Sequence, residues 1–198
     1  MTGKKKSGKS YFATRLSTLF LRVIIWDYNW EHTSDGSLIV HNLNELKLMW
    51  QISQKKRIAY QPYLKTSEVF EELCKWVNDT VRYCCFYVEE LQNVESSGKI
   101  TDNFQLIMDS GRHLKIGMLL TSRGLHHIPT RIPDSADYII AFKQQRKETW
   151  EYLKDHLEPV KVDALKEAPM YYFLILDGKK TGETYLVSPI SAKSQKSQ

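Results

Sequence analysis

The sequence predicts an α/β fold: a mostly parallel sheet with helices on both faces and a β-hairpin at the C-terminal end. Three observations carry this. Short apolar runs such as Val23–Trp26, Tyr83–Val88 and Ile116–Leu120 each stop at a polar residue, the pattern of strands covered on both faces. Segments with apolar residues at helical spacing alternate with those runs. Near the end, MYYFLILDGKKTGETYLVS places Asp177-Gly178 and Thr181-Gly182 between β-prone stretches, a hairpin signal.

Taken in order, YFATRLSTLFL sets Phe12, Leu16, Leu19 and Phe20 near one helical face. Val23–Trp26 is a buried strand that ends at Asp27. Ser37–His41 reads as a short strand, Asn44–Gln51 as a helix and Arg57–Gln61 as another extended piece. Thr66-Ser67-Glu68 offers N-cap candidates and a first-turn negative charge. The helix behind it carries Val69, Phe70, Leu73, Trp76 and Val77 on one side. Tyr83–Val88 is a strand that ends at Glu89-Glu90. After a loop with Ser96-Ser97-Gly98, a helix is expected near Thr101–Leu114, then strands at Ile116–Leu120 and Asp137–Phe142, with a helix at Lys147–Leu157.

The chain has 198 residues, 42% hydrophobic and 12% aromatic, enough for a real core and against wholesale disorder. It suits a single domain over 1–190 followed by a disordered polar tail, 191–198. No apolar run is long enough to span a bilayer, so a soluble intracellular protein without membrane partners is expected. Cys74, Cys84 and Cys85 sit in apolar surroundings and read as buried thiols. The net charge of +5 biases the chain modestly toward an anionic partner. Part of that excess lies in the N-terminal lysines and in Lys193 and Lys196.

Chemistry concentrates at three places. Gly3-Lys4-Lys5-Lys6-Ser7-Gly8-Lys9-Ser10 has the spacing G-x-x-x-x-G-K-S of a phosphate-binding loop, followed by Tyr11 on an amphipathic helix. Loop amides and the helix N-terminus would cradle phosphates, Lys9 would neutralise the β- and γ-phosphates of ATP, and Ser10 would ligate Mg²⁺. Glu89 and Glu90 follow a hydrophobic strand; Glu89 is a candidate for the Mg²⁺ water shell and Glu90 for activating the attacking water. The bland alternative is a solvated pair that caps a strand. In SGRHLKIGMLLTSRG, Thr121 or Ser122 at the strand end could sense the γ-phosphate or the water. Arg112 is open to two readings: an arginine finger acting in trans, or a surface arginine that satisfies a helix dipole. His126-His127 lie in a loop before Pro129 with no Cys or carboxylate at metal-ligand spacing, so no metal is expected there. Trp26, Trp50, Trp76 and Trp150 read as core, and Arg131, Lys143, Arg146 and Lys147 as either a DNA-facing or a solvated surface.

Gly3–Ser10, YCCFYVEE and GRHLKIGMLLTSR, in that order, resemble the HerA–FtsK superfamily of P-loop ATPases, most of all the compact genome-packaging ATPases of archaeal double-jelly-roll viruses. The resemblance covers about residues 3 to 190. It implies a RecA-like core, a homo-oligomeric ring and ATP-driven translocation of double-stranded DNA into a preformed capsid, with capsid proteins as partners. The implied location is the host cytoplasm or the virion. It also implies that Lys9 and Ser10 match the nucleotide and metal residues, Glu89 and Glu90 the acidic pair, and Arg112 the arginine finger. Ser122 stands where the family's sensor glutamine falls, and Thr121 is the substitute. A second family, the zonular occludens toxin-like assembly ATPases of filamentous phages, shares an arginine–histidine pair before a strand. A nucleotide-binding scaffold that does not hydrolyse is the third reading.

One departure stands out. Family members have a central strand before the loop, and here the expectation is that it is missing before residue 3, through a late start or trimming. If the chain is complete, the C-terminal hairpin must support the loop and nucleotide affinity should be poor.

Overall fold

The computed structural model describes residues 1–53, 57–94 and 100–189. The expected loop at Ser96-Ser97-Gly98 and the tail with Lys193 and Lys196 lie outside them. The chain forms two compact units, one made of Met1–Lys9, Arg123–His126 and the residues from Thr130 on, the other of Ser10–Ser122 and His127–Pro129.

The chain enters the second unit along α1 (Lys9–Ser17), and the unit then runs β1 (Val23–Trp26), β2 (Leu38–Val40), α2 (Leu43–Ile52), β3 (Arg57–Tyr60), α3 (Ser67–Thr80), β4 (Cys84–Val88), α4 (Asp102–Ser110) and β5 (Ile116–Leu120). Its five strands form one parallel sheet in the order β2-β3-β1-β4-β5. β1 and β4 are buried at every position because VIIW and CCFYV have no polar face to offer solvent. Around them Trp26 meets Phe70 edge-on at 5.1 Å, and Phe70 packs against Phe104 at 5.4 Å. Trp26, Trp50, Trp76 and Trp150 are all buried, as core residues should be.

Local signals set the helix boundaries. Thr66 caps α3 by accepting from the Val69 amide, and Asn42 caps α2 by accepting from the Glu45 amide. α4 stops at Ser110, four residues short of the expected end. Gly111 follows, where an added Cβ would lie 2.5 Å from the Ile107 carbonyl oxygen. The amide of Ile116 then donates back to the Gly111 carbonyl, and Lys115 takes φ 59°, so Arg112–Lys115 form a tight reversal into β5.

The register decides which residues gather at the sheet's carboxyl edge. Trp26 pairs with Tyr60 on one side and Val88 on the other, and Val88 pairs with Leu120. The next residue on each strand is therefore Asp27, Gln61, Glu89 and Thr121, side by side.

The other unit contains α5 (Arg131–Asp134), β6 (Tyr138–Phe142), α6 (Lys147–His156), α7 (Pro159–Glu167), β7 (Phe173–Asp177) and β8 (Thr184–Val187). β6, β7 and β8 form an antiparallel sheet, which contains the expected hairpin. α7 is an element the periodicity reading missed. Pro159 at its first turn was a usable start signal, and Val162 and Leu165 form its buried face.

All three cysteines are buried thiols outside any disulfide. Burial pushes the Cys84 and Cys85 thiols up to about 12, so almost no thiolate exists at neutral pH. A thiol reagent such as dithionitrobenzoate should leave the native protein unlabelled for hours and titrate three thiols once urea unfolds it.

Candidate functional site

In the unit built on β6, the loop is anchored at its base. The Thr2 amide donates to Ile140 O at 2.8 Å, and Thr2 O accepts from the Phe142 amide at 2.8 Å, a parallel bridge to Ala141. The Lys4 amide then donates to Lys143 O at 2.9 Å. Support for the loop thus comes from β6, itself paired to the hairpin. Beyond Lys4 the chain curls: the Ser7 amide donates to Lys4 O, and Lys6 and Gly8 take φ of 63° and 97°. Left-handed residues at those positions bend successive amides into a concave turn, the shape that binds phosphate. Lys9 is 6% exposed and Tyr11 71%.

Gly3 is required by close approach. A Cβ there would sit 2.7 Å from Phe142 Cβ and 2.8 Å from Ser7 Oγ, and Phe142 cannot retreat because its amide holds Thr2. Gly3→Ala should strain the loop by about 1–3 kcal/mol, and a lowered thermal unfolding temperature checks this.

In the unit built on the parallel sheet, the strand-end residues form a buried polar network. Asp27 accepts from the amides of Glu31 at 2.9 Å and His32 at 3.0 Å, and from Gln61 Nε2 at 2.6 Å. His32 lies between two carboxylates, with Nε2 3.2 Å from Glu89 Oε1 and Nδ1 2.6 Å from Asp35 Oδ2. The Arg57 guanidinium pairs with Asp35 at 3.1 Å and donates to Ser17 Oγ at 2.6 Å. Tyr87 Oη donates to Glu89 Oε1 at 2.9 Å. Burial alone would lower the pKa of His32, but its bonds to Glu89 and Asp35 raise it to about 9. Burial would raise the carboxyl of Asp35, but hydrogen bonds from Ser37 and His32 hold it down at about 2. Burial pulls the Glu89 carboxyl upward, and the imidazolium pulls against it.

Asp27, His32 and Glu89 each bring a ligand atom within 4.8 Å of the others. Both nitrogens of His32 and both oxygens of Asp27 are already hydrogen-bonded, which favours an ion-pair network over a direct metal triad. Glu89 Oε2 differs: it is buried and has no hydrogen-bond partner among the described residues. A buried carboxylate oxygen left open suits the hydration shell of a divalent cation, since Mg²⁺ keeps several waters and needs only one or two carboxylates. The residues present therefore fit Mg²⁺ through Glu89.

Glu90 takes a left-handed conformation, φ 49° and ψ 49°. Its amide donates to Thr121 Oγ1 at 3.3 Å, and the Leu91 amide donates to Thr121 O at 2.9 Å. Gln92 Nε2 holds Glu90 Oε2 at 2.6 Å. Thr121 thus fixes the turn that presents Glu90, and Ser122 is buried next to it in sequence. Arg112 is exposed in the turn after α4. The structure brings Glu89, Glu90 and Thr121 together and adds Asp27, His32, Asp35, Arg57, Gln61 and Tyr87, none of which had been named as a site residue. Only Asp27, as the polar end of an apolar strand, carried a sequence signal.

No protein-family model and no curated protein matches the chain. Solved structures do. The genome packaging NTPase B204 from Sulfolobus turreted icosahedral virus 2, in complex with ATP-gammaS, superposes with a TM-score of 0.79 at 21% identity over 96% of both chains. B204 from Sulfolobus turreted icosahedral virus, described as a DNA-packaging ATPase, gives 0.77 at 22%, again over 96% of both. The N-terminal domain of zonular occludens toxin from Neisseria meningitidis gives 0.49 at 13% identity. The chain has the fold of the B204 NTPases. Among its described residues, no helix is long and apolar enough to cross a membrane.

Proposed function

We propose that the chain is an ATP-hydrolysing motor that translocates double-stranded DNA, in the manner of viral genome packaging. The observation that carries this is the G-x-x-x-x-G-K-S loop, curled by Lys6 and Gly8 and leading directly into α1, on the fold of B204 NTPases, one of them bound to an ATP analogue. In this reading Gly3–Ser10 and Tyr11 hold ATP and Lys9 neutralises its phosphates. Ser10 and Glu89 would hold Mg²⁺, which would supply neutralisation of the triphosphate's charge. Glu90 accepts the proton of the attacking water, Thr121 keeps Glu90 in place with Ser122 beside it, and Arg112 reaches a neighbour's nucleotide in a homo-oligomeric ring. Capsid proteins and the host cytoplasm or virion complete the setting.

ATP turnover with and without double-stranded DNA tests the reading. A motor shows turnover that rises with DNA. Nucleotide binding without turnover would instead mark a scaffold.

A further inference from the structure

We infer that His32 is a positioning residue that fixes the carboxylate of Glu89 and so leaves its second oxygen for a divalent cation. This deepens the reading above and rests on it. His32 Nε2 and Tyr87 Oη both converge on Glu89 Oε1, at 3.2 and 2.9 Å, and Oε2 keeps no partner among the described residues. Two donors on one oxygen fix the carboxylate plane and leave one oxygen for a ligand. Glu89 is 2% exposed, so that open oxygen is not satisfied by bulk water.

The ring itself has little freedom. Its Nδ1 is held by Asp35, whose carboxylate is tied to Arg57 and to the Ser37 amide at 3.0 Å. Asp27 holds the backbone amide of His32, and Tyr87 meets the ring edge-on at 5.5 Å. Arg57 reaches Ser17 at the last turn of α1, so bonded side chains run unbroken from the helix that follows the loop to Glu89. Groups that orient a metal-binding carboxylate in this way typically account for 10- to 100-fold in metal affinity. A purely structural ion pair would instead affect folding stability and leave metal retention alone.

The test uses the full chain, Mn²⁺ in place of Mg²⁺, and a non-hydrolysable ATP analogue, with free Mn²⁺ read by electron paramagnetic resonance. His32→Ala should weaken Mn²⁺ retention about tenfold or more and change metal-free nucleotide affinity less than about twofold. His32→Gln, whose amide can still donate to Oε1, should recover part of the loss. Unchanged Mn²⁺ retention in His32→Ala would overturn the inference, and so would an equal loss of metal-free nucleotide binding. If His32→Ala does not fold, Asp35→Asn decides: a shift in the same direction supports the inference, and none overturns it. A wild type that binds no nucleotide overturns the proposed function and this inference with it. Nucleotide binding whose metal retention is indifferent to His32 overturns this inference alone.

Discussion

Lys9→Ala should lower the proposed nucleotide turnover by about a thousandfold and leave the far-ultraviolet circular dichroism unchanged. Lys9 follows the second glycine of the loop and is the first residue of α1, and it is 6% exposed. In a loose transition state negative charge builds on the β–γ bridging oxygen and the leaving β-phosphate, and a buried ammonium stabilises that charge more than a solvated one. Alanine at this helical position keeps the backbone while it removes the ammonium and its stem, so the loss should appear in kcat with the fold intact. Glu90→Gln should lose about a hundredfold or more by removing the proton acceptor, while still binding nucleotide. Mixing Arg112→Ala with Glu90→Gln subunits should restore part of the activity, because sites shared between subunits then include intact ones. Full turnover in Lys9→Ala would end the ATPase reading.

Asp27→Ala destabilises the protein by about 3–5 kcal/mol, the range for removing one partner of a buried charged network. Asp27 is fully buried at the tip of the central strand β1. Three donors converge on its carboxylate, the amides of Glu31 and His32 and Nε2 of Gln61. Alanine leaves those donors without an acceptor where water cannot replace it, at about 1–3 kcal/mol for each that stays buried. The turn from Glu31 to Ser34 then loses its anchor, and His32 loses the carboxylate that fixes its backbone. Thermal unfolding should fall by about 10 °C for a chain of this size. Asp27→Asn keeps one acceptor oxygen and should recover part of the loss. A melting temperature within about 2 °C of wild type would show that the network contributes little.

What could be read in the sequence follows from how local its cause is. β5 was bounded at Ile116 and Leu120 because its apolar run has polar residues at both ends. α3 was placed by its cap at Thr66 and its one-sided stripe of Phe70, Leu73 and Val77. The loop was legible because phosphate binding demands fixed glycine spacing within eight residues. The His32 network was not, since Glu89 is 57 residues away and Asp35 and Arg57 carry no motif. Only the parallel register, which aligns Trp26 with Tyr60 and Val88, brings the polar residues after them together. The early end of α4 was equally hidden, because Gly111 keeps helical dihedrals and the reversal is completed only at Lys115, a non-glycine residue with φ 59°.

Glu90 occupies a backbone geometry in which residues with side chains are strained by about 1–3 kcal/mol, and in which glycine alone would rest easily. The amino acid best suited to the bend has no carboxyl group, and the one that carries the carboxyl group fits the bend poorly. Ease of folding and the proposed proton acceptance therefore compete for a single site in the chain, and the grip of Thr121 on the neighbouring amides steadies the strained bend.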